Sequence, residues 1–215
     1  MREKLERYMA MLTEHNQNHN LTGNDDPDDA WVRHFEDSAQ LLLFASFAGA
    51  RVLDLGSGAG FPGIPLRIGE PNMRLTLLDS TDKKVEFLRL VCDELGLSDV
   101  RCVHGRAEEF GVKSGWRDGF DFVTARGVAN LNILCELALP LLRIGGKLIA
   151  MKENECDLEV KNAAPAVKVL GAELDEVKHY TLSTGLKHAA VIIRKTDLTP
   201  QGYPRRWARI KSKPL

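Results

Sequence analysis

The chain has 215 residues, 44% of them hydrophobic and 27% charged. This composition excludes a wholly disordered or collagen-like chain, and the length fits one domain with an extension or two small ones, large enough to need no disulfide or metal staple. The 29 basic and 30 acidic side chains leave a net charge of −1, so the chain as a whole is no polycation and any nucleic-acid contact must come from a local patch.

Residues 1–19 place Leu5, Tyr8, Met9 and Leu12 at helical spacing and predict an amphipathic helix. Its first residues alternate charges without an apolar core, which does not predict a secretory signal. No apolar run approaches the ~18 residues of a membrane span. NLTGNDDPDD, 20–29, is turn-rich and reads as a loop, with Asp28 or Asp29 capping a second helix whose stripe is Trp31, Phe35, Ala39 and Leu42.

From Arg51 the pattern changes to strands alternating with helices. RVLDL, LTLLD (75–79), VRCVH (100–104) and FDFVTA (120–125) read as strands, and 82–95 as a helix stopped by Gly96. A helix capped near Asn130 turns Leu131, Leu134, Ala138 and Leu141 inward and ends at Gly145-Gly146, before a fifth strand, KLIAM. A helix near 155–170 precedes LDEVKHYTL and HAAVIIRK, which STGLK links too tightly for a parallel crossover. The expectation is an α/β fold with a mostly parallel sheet covered on both faces and an antiparallel C-terminal hairpin.

The strongest chemical signal is LDLGSGAGFPG, 53–63, a glycine-rich turn between strand and helix. Two cofactors compete for it. Gly58, Gly60 and Gly63 match a dinucleotide-binding GxGxxG, but Pro62 and Pro65 remove amides that a pyrophosphate would need. The alternative register, Asp54-x-Gly56-x-Gly58-x-Gly60, puts an acid ahead of the glycines, which suits the amine and sulfonium of S-adenosylmethionine. Asp79, ending the second strand, stands where an acid bonds a ribose hydroxyl in either case.

DLGSGAGFPGIPL, LLDSTDKKVEFL, GRAEE and TARGVANL, with NLTG and RHFEDS before them and YPRR and KPL after, resemble the ribosomal RNA small subunit methyltransferase G family, also known as glucose-inhibited division protein B. The resemblance spans nearly the whole chain. It implies a class I, Rossmann-like methyltransferase fold and methylation of guanine N7 in bacterial 16S rRNA, with S-adenosylmethionine as donor. It places cofactor contacts on Gly56 and Phe61, on Asp79, Ser80 and Thr81, on Ala107 and Glu108, and on Arg126, and Asp54, Ser57, Gly58 and Gly60 of the turn complete the expected cofactor-binding set. Gly127, Glu153 and the tail segment WAR depart from the family's usual pattern.

Guanine N7 is an unprotonated nucleophile, so no general base and no triad is expected. Arg126, Lys84 and His34 are the candidates for residues beside the acceptor. Each has a plainer reading: a surface ion pair for Arg126, a solvated helix face for Lys83 and Lys84, a local pair at i and i+3 for His34 and Asp37. Glu108 follows the third strand, where an acid or amide meets an adenine amino group, or is simply a helix-start carboxylate. The tail sets Arg205, Arg206, Arg209, Lys211 and Lys213 among Tyr203 and Trp207, a basic and aromatic patch suited to RNA.

His15 and His19 have zinc-ligand spacing but lack the glutamate of the zinc-protease motif and a third ligand, so no metal is expected. Cys92, Cys102, Cys135 and Cys156 form no CxxC pair and read as reduced, mostly buried thiols of a cytosolic protein.

The resulting expectation divides the chain into an N-terminal helical extension (1–45), a methyltransferase domain (46–195) and a basic tail (196–215). Its partner is 16S rRNA or the small ribosomal subunit, with no membrane and no obligate protein partner. A nicotinamide-dependent oxidoreductase, a non-catalytic rRNA-binding assembly factor and a methyltransferase of small molecules or proteins remain as alternatives.

Overall fold

A computed structural model describes the backbone of residues 1–19 and 27–215, and side chains over 1–16 and 29–215. Helix α1 (Arg2–His19) is followed by a bent helical segment made of α2 (Pro27–Ala30), a π-type turn (Trp31–Glu36), α3 (Asp37–Ala39) and α4 (Leu41–Phe44). The alternating part comprises β1 (Arg51–Leu55), α5 (Gly63–Gly69), β2 (Arg74–Asp79), α6 (Asp82–Glu94), β3 (Val100–His104), α7 (Ala107–Phe110), β4 (Phe120–Arg126) and α8 (Leu131–Ala138). A 3-10 turn (Leu139–Leu141), β5 (Leu142–Glu153), α9 (Asp157–Val169), β6 (Ala172–Thr181), β7 (Lys187–Lys195) and α10 (Trp207–Ser212) complete it.

The strands form one sheet in the order β3-β2-β1-β4-β5-β7-β6. The first five are parallel; β7 runs antiparallel to β5 and to β6. The order reverses between β1 and β4, which opens a crevice at their carboxyl ends, where open α/β sheets bind ligands.

Strand alternation sorts the core into two layers. Leu53, Leu55, Leu148 and Ala150 face one side and pack under α8, α9 and Ile210 of α10. Val52, Ile149, Met151 and Ile192 face the other and pack with α5, α6 and the N-terminal helices. Tyr8, Met11, Leu12, Phe35 and Leu41 belong to that second layer, so both helical parts described before the sheet share its core.

The structure corrects several local expectations. Residues 20–26 of the expected loop lie outside the described residues, and 27–29 are already helical, so Asp29 is inside the helix and caps nothing. Ala39 is exposed while Asp37 and Ser38 are buried. The π-type turn adds a residue to the turn and rotates the buried face past the 3.6-residue stripe. Gly145-Gly146 ends no helix: β5 begins at Leu142 and shifts its register against β4 between Phe120 and Phe122. Cys92 and Cys102, ten residues apart, meet with sulfurs 3.9 Å apart because α6 packs on β3.

Asn130 does stand at the start of α8, but its side chain makes no cap. Glu159 of α9 takes that place, its Oε1 accepting from the Leu131 amide at 2.5 Å and from Lys152 Nζ at 2.6 Å.

Candidate active site

The glycine turn leaves β1 and is tied down on all sides. The amides of Gly56 and Ser57 donate to Leu78 O at 2.8 and 3.1 Å, and those of Gly60 and Phe61 to Ser57 O at 2.7 and 3.1 Å. Gly58 N donates to Asp79 Oδ2 at 2.8 Å, Gly63 N to Asp54 Oδ2 at 3.2 Å, and Ile64 N to Gly60 O at 2.8 Å. With Pro62 lacking an amide and the surrounding amides already bonded within the protein, the turn keeps few donors for a pyrophosphate. The geometry therefore disfavours the dinucleotide reading of Gly58, Gly60 and Gly63.

Three glycines of the turn are required by close approach, Gly63 because a Cβ there would lie 2.9 Å from Asp54 Cβ. Gly56 has φ +69° and a Cβ there would lie 2.6 Å from Val128 Cγ2. Gly60 has φ +109°, and its missing side chain makes room for the Tyr8 hydroxyl and Ile64. Tyr8, fully buried on α1, donates its hydroxyl to Ala59 O and stacks on Phe61 at 5.3 Å.

Asp54 does not face the crevice. It is 0% exposed, accepting from Thr124 Oγ1 at 2.8 Å as well as from Gly63 N, so it clamps the start of α5 from below. Burial raises its pKa to about 6, against the lowering by those hydrogen bonds. The expected direct contact between Asp54 and a cofactor's amine is corrected to support of the turn, because alternation along a strand covered on both faces turns Asp54 away from Leu53 and Leu55. Ser57, Gly60 and Phe61 are likewise buried, the Phe61 ring within the aromatic layer of Tyr8 and Phe35.

Gly56, Ser80, Ala107 and Glu108 do meet. They line a hollow of about 310 Å³ floored by Leu55, Leu78 and Val128. Asp79 lies in the chain between the lining residues Leu78 and Ser80, its two carboxylate oxygens holding the amides of Gly58 and Thr81 at 2.8 Å each; each oxygen keeps a further lone pair for a hydroxyl. Glu108 Oε1 accepts from Arg106 Nε at 2.6 Å.

A second hollow, about 390 Å³, opens on the other side of the loop after β4. Arg126, Gly127, Lys152, Glu153, Glu155 and His188 are among its walls. Arg126 ends β4 and is held by three acceptors on the helical segment before the sheet: Arg33 O at 2.8 Å, His34 Nδ1 at 3.1 Å and Asp37 Oδ2 at 3.3 Å. Its guanidinium lies 5.1 Å from the Phe61 ring centroid, and the His34 ring stacks on Phe61 at 4.9 Å. Asp37, 2% exposed, also accepts from Tyr180 Oη at 2.7 Å and lies 2.9 Å from His188 Nδ1. Burial and the Asp37 charge push the Tyr180 hydroxyl's pKa up.

His34 and Asp37 thus share Arg126 instead of forming an isolated helix pair. Lys84, on the first turn of α6, lines neither hollow. Tyr180, His188 and Glu159 escaped the sequence reading. His188, a polar residue opening the apolar run AAVII, carried a weak signal; its pairing opposite Glu153 of β5 is what brings it to the site.

The tail departs from expectation. Arg205 is no free cation: its amide and Nε donate to Glu136 Oε1 at 2.9 and 2.8 Å and its NH2 to Oε2 at 2.6 Å. Glu136 is fully buried. Arg206, Arg209 and Lys211 are exposed. Trp207, expected to stack on RNA, instead lines the smaller hollow, with the Arg106 guanidinium 5.0 Å from its ring. His15 Nδ1 lies 3.0 Å from Met11 O; the His19 side chain lies outside the described residues.

The profile of the family described as rRNA small subunit methyltransferase G matches residues 1–187. The chain belongs to that family. It is 40% identical to the ribosomal RNA small subunit methyltransferase G of Streptococcus pyogenes serotype M12 and 41% identical to that of Streptococcus thermophilus CNRZ 1066. Both alignments cover all of this chain and 91% of the relative.

Among solved structures it is similar to an O-methyltransferase from Bacillus cereus in complex with S-adenosylhomocysteine, at TM-score 0.64 and 17% identity over 88% of this chain and 91% of that one. It is also similar to a SAM-dependent methyltransferase from Aquifex aeolicus, at TM-score 0.61 and 18% identity over 82% and 97%. At those identities the likeness is one of fold, the Rossmann-like methyltransferase fold. Members of this rRNA methyltransferase family are enzymes, and S-adenosylmethionine is the cofactor.

The residues present fit that cofactor. The smaller hollow combines apolar side chains, a glycine that leaves space and the carboxylate of Glu108 for an amino group, and Asp79 stands between its lining residues Leu78 and Ser80 in the chain with lone pairs for hydroxyls. Among the described residues no helix is long and apolar enough to cross a membrane.

Proposed function

We propose that the protein methylates N7 of a guanine in 16S rRNA of the small ribosomal subunit, with the cofactor held in the smaller hollow and the guanine in the larger. One observation carries this reading. Gly127 and Val128, adjacent residues of the loop after β4, line the larger and the smaller hollow respectively, so the two hollows adjoin at this loop.

S-adenosylmethionine supplies an electrophilic methyl group. The protein's own part is to bind, align and exclude water. Guanine N7 is unprotonated at neutral pH, so no side chain needs to remove a proton; alignment of two bound reactants is worth up to about 7–11 kcal/mol. Gly56, Asp79, Ser80, Thr81, Ala107 and Glu108 hold the donor, on the turn that Asp54, Ser57, Gly58, Gly60 and Phe61 support. Arg126 borders the acceptor hollow at a position fixed by Asp37, His34 and Arg33.

The charge pattern supports guanine. Its Watson–Crick edge offers N1–H and N2–H donors beside the O6 acceptor, while N7 lies on the other edge. Exposed Glu153 and Glu155 can accept from the first edge, leaving N7 free. The positive charge that the ring gains on methylation is favoured beside the exposed carboxylates of Glu153 and Glu155. Arg126 pairing bidentately with O6 and N7 would block the reacting atom, so its part is to position rather than to read that edge.

Methyl transfer from labelled S-adenosylmethionine to small subunits from cells lacking the protein, followed by nucleoside mass spectrometry, tests the reading. The expected product is 7-methylguanosine in 16S rRNA. No incorporation into subunits or naked rRNA, with cofactor binding intact, overturns it.

A further inference from the structure

We infer that Trp207 of the C-terminal tail is a cofactor-binding residue: its indole forms the aromatic wall against which the adenine ring stacks. This deepens the assignment of the smaller hollow as the cofactor site and rests on it.

Trp207 lines the hollow together with Gly56, Ser80, Ala107 and Glu108, the positions that the glycine turn and the ends of β2 and β3 supply. Strand residues Leu55 and Leu78 give the floor, and Trp207 is the aromatic ring among the lining residues. A flat, weakly polar ring with one exocyclic amine matches that lining: apolar contact below, an aromatic face beside it, and the Glu108 carboxylate at the edge. Arg106 joins the two, ion-paired to Glu108 at 2.6 Å and with its guanidinium over one face of the Trp207 ring, 5.0 Å from the centroid, which braces the indole and leaves the adenine to stack on its opposite face.

The tail is built to hold this ring still. Three residues after Trp207, Ile210 is fully buried in the core layer under the sheet. Two residues before it, Arg205 pairs with the buried carboxylate of Glu136 through three hydrogen bonds. Upstream, Arg117 on the β4 side donates to Thr199 O at 2.5 Å and to Tyr203 O at 2.7 Å. A buried charge pair is a poor device for merely attaching a terminus, since its desolvation offsets much of its attraction. It does fix geometry, and a stacking surface fixed in advance loses little entropy when its ligand arrives.

The test is calorimetric titration of the full chain with S-adenosylhomocysteine, which reads binding without turnover. Trp207→Leu keeps apolar bulk against the core and removes the aromatic face; Trp207→Phe keeps a face. Stacking predicts a dissociation constant raised about 5- to 150-fold in Trp207→Leu, and restored to within about threefold of wild type in Trp207→Phe. Wild-type affinity in Trp207→Leu overturns the inference, as does equal weakening in both variants, which would mean lost packing and not lost stacking. Failure of the wild-type chain to bind S-adenosylhomocysteine at all overturns the cofactor assignment of the hollow itself.

Discussion

The buried carboxylate of Asp37 and the guanidinium of Arg126 lie 3.3 Å apart, joining the helical segment before the sheet to the end of β4. Tyr180 of β6 and His188 of β7 converge on the same carboxylate. One acidic side chain thus orients a cation, a phenol and an imidazole from three strands around the edge of the larger hollow. Removing it leaves Arg126 partly buried without its counter-charge. Asp37→Ala is expected to cost about 3 kcal/mol or more of stability, read by urea unfolding, and to lower methyl transfer with it.

Arg126 reaches three acceptors with one planar fork, a geometry that a lysine cannot reproduce. Both Arg126→Ala and Arg126→Lys are therefore expected to lose methyl transfer to small subunits by about a hundredfold. Full activity in Arg126→Lys would show that charge alone suffices at this position.

Asp54 gives the fold a pH dependence of its own. Burial raises its pKa to about 6 in the folded chain, against about 4 when unfolded. Between these values the unfolded chain has released a proton that the folded chain keeps, so stability falls as pH rises through that window, by about 3 kcal/mol for a shift of this size. Asp121 and Asp175, lowered by their partners, act in the opposite direction at lower pH. Asp54→Asn removes only the first contribution. The difference in unfolding free energy between wild type and variant, measured from pH 4 to 7, should shift by that amount and then stay level above pH 6.5. A difference that is flat with pH would contradict the raised value.

The tail's arginines divide into two kinds. Arg205→Ala leaves the Glu136 carboxylate buried without its partner and should cost about 3 kcal/mol or more. A triple variant of the exposed Arg206, Arg209 and Lys211 to alanine should leave the unfolding midpoint within about 0.5 kcal/mol. It should nevertheless weaken rRNA binding and flatten its salt dependence by up to about three counterions. Equal RNA affinity in the triple variant would remove the tail from the RNA interface.

Tyr8 ties α1 to the glycine turn through a single hydroxyl. Tyr8→Phe strands the buried Ala59 carbonyl and should lower stability by about 1–3 kcal/mol. It should also weaken S-adenosylhomocysteine binding, because the turn that carries Gly56 and Gly58 loses its brace.

Local pattern carried much of this. The strands β1 to β4 and the helix α6 are legible because each is a short apolar run or a helical stripe bounded by glycine or a cap. The turn at 56–60 is legible because glycine recurs at 56, 58 and 60, where the backbone takes a positive φ. The bent segment at 27–44 is not, because a π-type turn breaks the 3.6-residue period on which the reading depends. Asp54 carried a signal that was missed: between Leu53 and Leu55 on a strand covered on both faces, it must point into the opposite core layer.

What the amino-acid sequence by itself determined is the alternation of strands and helices, the antiparallel return of the last hairpin, the glycine turn and the family to which those motifs belong. Each depends on residues near one another in the chain, where period, φ and amide count act directly. Tertiary structure alone decided that Asp54 braces the turn, that Asp37 gathers Arg126, Tyr180 and His188, and that Arg205 and Trp207 face inward. These depend on partners up to 151 residues away. A charge or an aromatic ring has the same local signature whether it meets solvent or a buried partner, and only the packed fold brings the two ends of such a contact together.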